Sequence, residues 1–242
     1  MAYYIPWRVV FSESLSTPCR PVLDGSSRTR PRADGKGGGR CLNDLVAKGK
    51  IDTINLVKML LRFCSGKSAF CGDLQQFYNT CKLEPQFWNL QRFLWKPNLD
   101  PNAEVIEMVM KTLIYGVKSV SAQSEEAKRQ LAVAVKDRYP QVHDLILNAI
   151  YVDDIGDSKI SEAECKKIMD EADKTFEMVN LKVKDWVISG QKPSEKVSKD
   201  GLTVGVGGFG WNPFLDCLEI KIPSLHFGKK TRGRLNKNTQ VF

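Results

Sequence analysis

The sequence predicts an α+β fold, in which a mixed β-sheet carries helices on one face. Two apolar segments predict strands that lead into acidic residues, Ser68–Cys71 before Asp73 and Ile146–Ile150 before Asp153. Two stretches with apolar residues at helical steps predict helices that pack on these strands. The order strand, helix, hairpin, helix, strand is typical of a sheet layered against helices. A strand-rich insertion interrupts this order.

The N-terminal part predicts a small hairpin lobe. Tyr3–Phe11 is rich in aromatic and β-branched residues, which favour strands, and Arg20–Asp24 is expected to return beside it. Between Gly25 and Arg40 the composition shifts to Gly, Arg, Lys, Ser and Pro. This composition predicts a mobile basic loop, which is either a solvated surface insertion or a phosphate-binding segment.

The next segment predicts short helices and then strands. Apolar residues recur at three- and four-residue steps over Leu42–Phe63, with a break near Gly49, so two short helices are expected. The strand before Asp73 follows them. Three strands are therefore expected here, at Ser68–Cys71, at Asn89–Trp95 and at Val105–Tyr115, the last two joined by a turn at 97–102.

A long helix is expected from Ser121 or Ser124 to Arg138, where the approaching Pro140 ends it. We expect this helix to pack on the sheet, because one of its sides is apolar. The residues on that side are Ala127, Leu131, Ala134 and Val135.

A second long helix is expected after the acidic hairpin. Ser161 and Glu164 have the spacing of a capping box, and apolar residues recur at helical steps from Cys165 to Val179. Strands are then expected at Leu181–Ile188 and Leu218–Ile222, on either side of the glycine cluster at 205–210.

Length and charge favour a polyanionic partner. The chain has 242 residues, enough for one sizeable core or for one domain with an inserted lobe. Its 36 lysines and arginines exceed its 28 aspartates and glutamates, which gives a net charge of +8. Nucleic acid is the leading candidate for the partner.

The sequence disfavours several other classes of protein. Its seven cysteines form no Cys-x-x-Cys pair, and with only two histidines no zinc-binding spacing occurs. We expect reduced, mostly core-filling thiols. Met1–Val10 lacks the layout of a secretory signal, and no apolar run approaches the ~20 residues that span a bilayer. A soluble cytoplasmic or nuclear protein without a membrane partner is therefore expected.

The consecutive acids Asp153 and Asp154 predict a cation site. Two like charges at the turn of an apolar hairpin repel each other, and their burial is costly. A divalent cation shared with a third carboxylate would offset this cost, and Asp73 is the obvious third. Carboxylate oxygens suit Mg²⁺, with Mn²⁺ as an alternative, and two ions ~3.5–4 Å apart would support phosphoryl transfer. The competing interpretation is an ordinary Asp-Asp turn without a catalytic role.

The surroundings of these acids resemble a known family. Tyr151-Val152-Asp153-Asp154 is similar to the Y-x-D-D motif of reverse transcriptases, and Asp73 followed by Tyr78 is similar to their first acidic motif. The two motifs lie 80 residues apart, which fits an inserted lobe and one long helix. An ordered set of short matches resembles the polymerase domain of BEL/Pao LTR retrotransposons. These matches are Tyr3–Pro6, Arg20–Ser26, Leu42–Asp44, Phe93–Trp95, Tyr115–Val117 and Gly205–Pro213 with Asp216.

The resemblance implies an RNA-directed DNA polymerase with a right-hand fold. The palm is expected to be a ferredoxin-like sheet, the fingers to be rich in strands, and the thumb to be absent or only begun. The implied partners are dNTPs, a primed RNA or DNA template, and other chains that supply a thumb and an RNase H domain. A decayed, non-catalytic scaffold is the competing interpretation. The implied parts are fingers at 1–49 and 84–119, palm at 50–83 and 120–223, and a basic C-terminal segment at 224–242.

The resemblance also implies residue roles. The three aspartates would be the catalytic metal ligands, and either Lys182 or Lys184 would be the general acid for pyrophosphate. Arg20 would contact the triphosphate and Tyr78 would be the steric gate against a ribose. The full nucleotide-binding set would be Arg20, Leu74, Tyr78, Tyr115 and Gly116. The primer-binding set would be Tyr151, Gly205, Gly207, Gly208 and Trp211.

Each implied role has a structural alternative. Arg20 could pair with Asp24, Tyr78 could be a core residue, and Gly116 could serve a turn before a helix. Either lysine could lie on a solvated strand edge, and the glycine cluster could be a hairpin anchored by its tryptophan. One departure from the family is the absence of proline in Lys118–Ala122, where a Ser-Pro pair is usual, so an altered template-side turn is expected.

Overall fold

The computed structural model describes residues 3–11, 19–28, 38–97, 100, 102–198 and 200–220, without the side chain of Arg20. Most of the expected basic loop, the basic C-terminal segment and the end of the last expected strand lie outside these residues. The described residues form strands and α-helices in the following order: β1 (Trp7–Phe11), β2 (Cys19–Leu23), α1 (Leu42–Leu45), α2 (Leu56–Phe63), β3 (Ser68–Leu74), α3 (Phe77–Thr80), β4 (Arg92–Trp95), β5 (Ile106–Val109), α4 (Val120–Val135), α5 (Pro140–Asn148), β6 (Ile150–Tyr151), β7 (Asp154–Lys159), α6 (Glu162–Glu177), β8 (Val183–Ile188), β9 (Val204–Val206), β10 (Phe209–Asn212) and β11 (Cys217–Glu219).

The central sheet has the strand order β6-β7-β3-β8. All its neighbouring strands pair antiparallel, so the expectation of a mixed sheet is wrong. The chain passes from β3 through α4 and α5 to β6, and β7 lies between these two strands. It then passes from β7 through α6 to β8, and β3 lies between that pair. The result is the β-α-β-β-α-β arrangement of a ferredoxin-like fold, with an insertion between β3 and α4.

One face of the sheet is covered by α4, α5 and α6. Helix α6 begins at Ser161, whose side chain accepts a hydrogen bond from the Glu164 amide, as the capping-box spacing predicts. Its apolar residues pack with Phe70 and Leu74 of β3. These two strand residues point to the same side because side chains alternate along a strand. The helical residues in this core include Cys165, Ile168, Ala172 and Phe176.

Helix α5 was not expected. The apolar run Ile146–Ile150 predicts a strand, but only Ile150 belongs to one. Pro140 occupies the first turn of α5, where its missing N–H costs nothing, and Val142, Leu145 and Ile146 are buried at helical spacing. A continuous apolar run does not by itself distinguish a buried strand from a buried helix.

The second face of the sheet is also covered, which corrects the expectation of helices on one face alone. Helix α2 and the β9–β10 hairpin lie on this face. Met59 and Phe63 of α2 pack with Ala69 and Cys71 of β3, which alternate with the residues of the first face. The indole of Trp211 completes this core and meets the Phe63 ring edge-on at 5.0 Å between centroids.

The buried side of α4 agrees in part with the predicted one. Val135 is buried and Leu131 packs partly buried against the core of the first face, as predicted, but Ala134 is exposed and Ala132 is buried. The reason is that polar residues share the inward face near the N-terminus of the helix. The polar residues buried there are Ser124, Glu125 and Lys128.

Two smaller antiparallel sheets, β1–β2 and β4–β5, lie outside the central sheet. A third core of Ile5, Leu23, Leu42 and Ile114 joins them to helix α1. The indole rings of Trp7 and Trp95 stack at 4.9 Å between centroids.

Strand limits in this region are shorter than expected. Residues 85–91 form a 3₁₀ helix with Pro85 in its first turn, so β4 begins at Arg92 and not at Asn89. Strand β5 ends at Val109 and not at Tyr115, because Val109 pairs with Arg92, the first residue of β4. Tyr115 and Gly116 lie in a turn. The two short helices expected on either side of Gly49 are confirmed as α1 and α2.

All seven cysteines are free. Cys41, Cys71 and Cys165 are buried, and Cys81 packs partly buried against the core of the first face. Cys19, Cys64 and Cys217 are exposed, so the expectation of core-filling thiols holds for four of the seven. Among the described residues, no helix has the length and apolar character needed to cross a membrane.

Candidate active site

The three aspartates meet at one end of the central sheet. Asp73 of β3 lies directly opposite Asp154 of β7 in the antiparallel register, and the Leu74 amide donates to the Asp153 carbonyl at 2.9 Å. Carboxylate oxygens of Asp73, Asp153 and Asp154 lie within 4.8 Å of one another. The predicted convergence of these side chains is therefore confirmed. All three are half-buried, and Asp73 and Asp154 line a cavity together with residues of β9 on the second face of the sheet.

A strained turn presents the consecutive acids Asp153 and Asp154. Val152 and Asp153 form the two-residue turn between β6 and β7, because Tyr151 pairs with Asp154. Val152 has φ of 58°, a left-handed conformation that a β-branched residue rarely adopts. Such a residue costs about 1–3 kcal/mol and persists only where the surrounding contacts hold it.

The electrostatics of the cluster favour a bound cation. Burial, and after it the charges of Asp153 and Asp73, raise the pKa of Asp154 to about 6, against the lowering effect of a hydrogen bond from the Gly207 amide. Burial also raises the pKa of Asp153, against the lowering effects of its own amide and of Lys128. Mutual repulsion and partial burial thus make the ionised cluster costly, and a divalent cation would relieve that cost. The donor set of three carboxylates suits Mg²⁺.

Lys128 is a site residue that the sequence analysis missed. Its ammonium lies behind the turn, 2.8 Å from a Glu125 carboxylate oxygen and 3.3 Å from the carbonyl oxygens of Ile150 and Val152. Burial lowers its pKa, and Glu125 opposes that shift. No local sequence pattern marks Lys128, because two of its acceptors are backbone carbonyls of a hairpin more than twenty residues further along the chain.

A cavity of about 170 Å³ opens beside the aspartates. Asp73, Asp154, Lys184 and Asp185 line it, together with Gly205 of the β9 strand. Lys182, in contrast, is exposed, and its carbonyl accepts the Gln75 amide. Of the two lysines that the sequence left open, Lys184 is therefore the one that shares a cavity with two of the aspartates.

The structure brings Tyr78 and Tyr115 together. Their ring centroids are 4.7 Å apart, and Tyr115 is 52% exposed while Tyr78 packs partly against the first core. Leu74 is 2% exposed and its side chain lies within that core. Any nucleotide contact of Leu74 would therefore go through its main chain.

Asn43 fixes the turn that carries Tyr115. Its side chain donates to the carbonyl of Gly116 and to the Ser26 hydroxyl, both at 2.9 Å, and accepts the Lys118 amide at 2.8 Å. Gly116 has φ of 94°, and a Cβ there would lie 2.5 Å from the Leu23 carbonyl oxygen, so only glycine fits. Three of the short matched segments, Arg20–Ser26, Leu42–Asp44 and Tyr115–Val117, thus meet at one point.

The glycine-rich hairpin closes over the aspartates. Gly207, in the turn between β9 and β10, has φ of 55° and donates its amide to Asp154 at 3.2 Å. Gly205 lies in open space, where a Cβ would meet nothing within 4 Å. Trp211 is 1% exposed, and its indole N–H donates to Asp216 at 3.0 Å. The tryptophan therefore anchors the hairpin, and its indole does not reach the surface on which a primer would lie.

Comparison with known proteins supports a polymerase-like fold. A crystal structure of a prototype foamy virus protease-reverse transcriptase mutant is similar to this chain, with a TM-score of 0.51 and 16% sequence identity. The similarity covers 74% of this chain and 20% of that chain, so the protein spans about a fifth of the length of its structural relative. At this identity the likeness shows the fold alone.

Sequence comparison adds nothing to this likeness. No protein-family model matches the chain, and no curated protein matches it. The structural similarity alone thus shows that the α+β fold of the protein is like that of a reverse transcriptase polymerase. A cluster of three aspartates lies at the end of its central sheet.

Proposed function

We propose that this chain is the polymerase core of an RNA-directed DNA polymerase, which adds dNTPs to the 3′ end of a primer by two-metal phosphoryl transfer. The observation that carries the proposal is the meeting of Asp73, Asp153 and Asp154 within 4.8 Å in a reverse-transcriptase-like fold. The finer assignment to a BEL/Pao-like retrotransposon rests on the ordered short motifs of the sequence.

The aspartates fit two Mg²⁺ ions, or Mn²⁺ in their place. Asp73 and Asp154, which lie opposite each other on paired strands, and Asp153 in the turn would together hold the ions. The bound ions would supply an activated primer hydroxyl and a stabilised pyrophosphate leaving group. The protein's own contribution is to fix three oxygen ligands on a paired strand end before substrate arrives.

Lys184 is the better candidate for the general acid. Lys184 lines the cavity that Asp73 and Asp154 also line, whereas Lys182 is exposed to solvent just before β8. An ammonium there could give a proton to the pyrophosphate oxygen as the bond to the incoming nucleotide breaks.

The remaining contacts follow the proposed division into fingers and palm. Fingers at 1–49 and 84–119 would bring Arg20 to the triphosphate, and the Tyr78–Tyr115 pair would close the nucleotide pocket against a ribose hydroxyl. In the palm at 50–83 and 120–223, the main chain of Gly205 and Gly208 would contact the primer, with Trp211 as anchor and Tyr151 beside it. The basic segment at 224–242 and other chains supplying a thumb and RNase H would complete a cytoplasmic or nuclear assembly.

Primer extension tests the proposal. The purified chain is incubated with a primed RNA template, dNTPs and Mg²⁺, and parallel samples contain EDTA or rNTPs. We expect Mg²⁺-dependent extension with dNTPs and little with rNTPs. Duplex binding is measured on the same samples. Binding without extension, whether Mg²⁺ or Mn²⁺ is supplied, would refute the polymerase and favour the non-catalytic scaffold.

A further inference from the structure

The ammonium of Lys128 is saturated by three acceptors. A lysine ammonium has three N–H donors, and here Glu125, the Ile150 carbonyl and the Val152 carbonyl each lie within 3.3 Å of it. The side chain is 6% exposed, and its ammonium lies 5.9 Å from the centroid of the Phe77 ring. Burying a lysine ammonium costs free energy unless it is paired and hydrogen-bonded, and these three contacts offset that cost.

The two carbonyls belong to the strand and turn that present the catalytic acids. Ile150 is in β6, and Val152 is the left-handed residue just before Asp153. The ammonium therefore ties both ends of the segment 150–152 to helix α4. Among the described residues, the charged groups that face the ammonium are Glu125 on its own helix and Asp153 on the turn.

We propose that Lys128 is a positioning residue for the metal centre: its bonds to the Ile150 and Val152 carbonyls hold the turn in the conformation that lets Asp153 and Asp154 share cations with Asp73. This inference rests on the proposed function, because it assigns a role toward the metal ions of that site. Lys128 itself touches neither substrate nor metal. Groups that orient metal ligands from behind typically change metal affinity by ~10–100-fold when they are removed.

The loss of Lys128 would act on the cation affinity of the site in two opposite ways. Removing a positive charge near the aspartates would by itself strengthen cation binding. Removing the bonds that hold the turn would weaken it. The double variant Glu125→Gln/Lys128→Met removes one charge of each sign, so the net charge stays constant and any change reports on the lost bonds. The single variant Glu125→Gln is the matched control, because it keeps the lysine and its two carbonyl contacts.

Titration with Mn²⁺, followed by the electron paramagnetic resonance signal of the free ion, tests the proposal without any need for activity. The site is defined as the Mn²⁺ binding that Asp153→Asn removes from the full chain. We expect the double variant to bind Mn²⁺ at least tenfold more weakly than wild type, and Glu125→Gln to stay within about threefold. Far-ultraviolet circular dichroism and thermal melting confirm that each variant is folded.

Three results would overturn the proposal. Wild-type affinity in a folded double variant would mean that the turn needs no anchor. An equal loss in Glu125→Gln would assign the effect to the glutamate. Identical Mn²⁺ binding by wild type and Asp153→Asn would refute both this inference and the metal site of the proposed function, whereas the first two results leave that site intact. A conservative Lys128→Arg variant, which keeps donors and charge, should recover part of the affinity.

Discussion

Replacing Asp154 with asparagine is expected to lower Mg²⁺-dependent primer extension by roughly a thousandfold or more and, at the same time, to stabilise the metal-free protein. The loss of activity follows because one preorganised electrostatic group alone typically contributes about 10²–10³ in rate, and this carboxylate would be one of the three that hold the ions. The gain in stability follows because its ionised form is costly in the folded chain, where burial and two neighbouring aspartates raise its pKa to about 6.

The sign of the stability effect depends on pH. Asp154 binds a proton more tightly when the chain is folded than when it is unfolded, where its pKa is near 3.8. Well below pH 3.8 the group is neutral in both states and costs nothing, and the cost grows as pH rises from about 3.8 to about 6. Because the residue is partly exposed, we expect asparagine to raise the free energy of unfolding in EDTA by about 1–2 kcal/mol at pH 8.

Urea denaturation in EDTA at pH 4 and pH 8 measures this difference. Asp137→Asn, on the exposed turn after α4, is the matched control, because it makes the same chemical change away from the cluster. It should alter neither extension nor the pH dependence of stability. A variant Asp154→Asn that is less stable than wild type at pH 8 would contradict the electrostatic account of the cluster.

Replacing Arg62 with methionine is expected to destabilise the fold by about 3 kcal/mol or more. Arg62 of α2 donates two hydrogen bonds, at 2.7 and 2.8 Å, to Asp157 of β7, which is 1% exposed. Its guanidinium also bonds to Asp144 on α5. Removing one partner of a buried ion pair typically costs ~3–5 kcal/mol, because the other charge is left buried. Lys159, 2.8 Å from Asp157, offsets part of that loss.

The surface arginine Arg129 provides the comparison for this variant. It forms ion pairs with Glu126 and Asp52, but all three side chains are about half exposed. Arg129→Met should therefore cost less than about 1 kcal/mol. Urea denaturation of both variants at pH 7 measures the two losses. If they were equal, the buried network would have no special part in holding α2 and α5 against the sheet.

The acidic centre could be predicted from sequence because its signal is local. Asp73 lies near the end of the apolar strand β3, as its preceding segment predicts. Asp153 and Asp154 follow an apolar run that is mostly helix, but an acidic pair shortly after buried residues marks an accessible turn in either case. The antiparallel register then places Asp73 opposite Asp154. The start of helix α6 at Ser161 could be predicted for the same reason, because the capping box spans only four consecutive residues.

The remaining features depend on tertiary contacts that local patterns do not encode. Helix α5 carries the same apolar composition as a buried strand, and only its packing decides between them. Lys128 lies on the inward side of α4 because the backbone of a distant hairpin supplies its acceptors. Trp211 is buried by Phe63 and its neighbours, and only this packing decides between the two alternatives left open by the sequence, an anchor of the hairpin or a primer contact.

The most direct test of the metal centre is the location of Mn²⁺ by anomalous X-ray diffraction from crystals of the full chain grown with Mn²⁺ and a dNTP. We predict anomalous peaks between the carboxylates of Asp73, Asp153 and Asp154, next to the cavity that Lys184 also lines. Manganese bound elsewhere, with no peak among these three side chains, would contradict the proposed catalytic site.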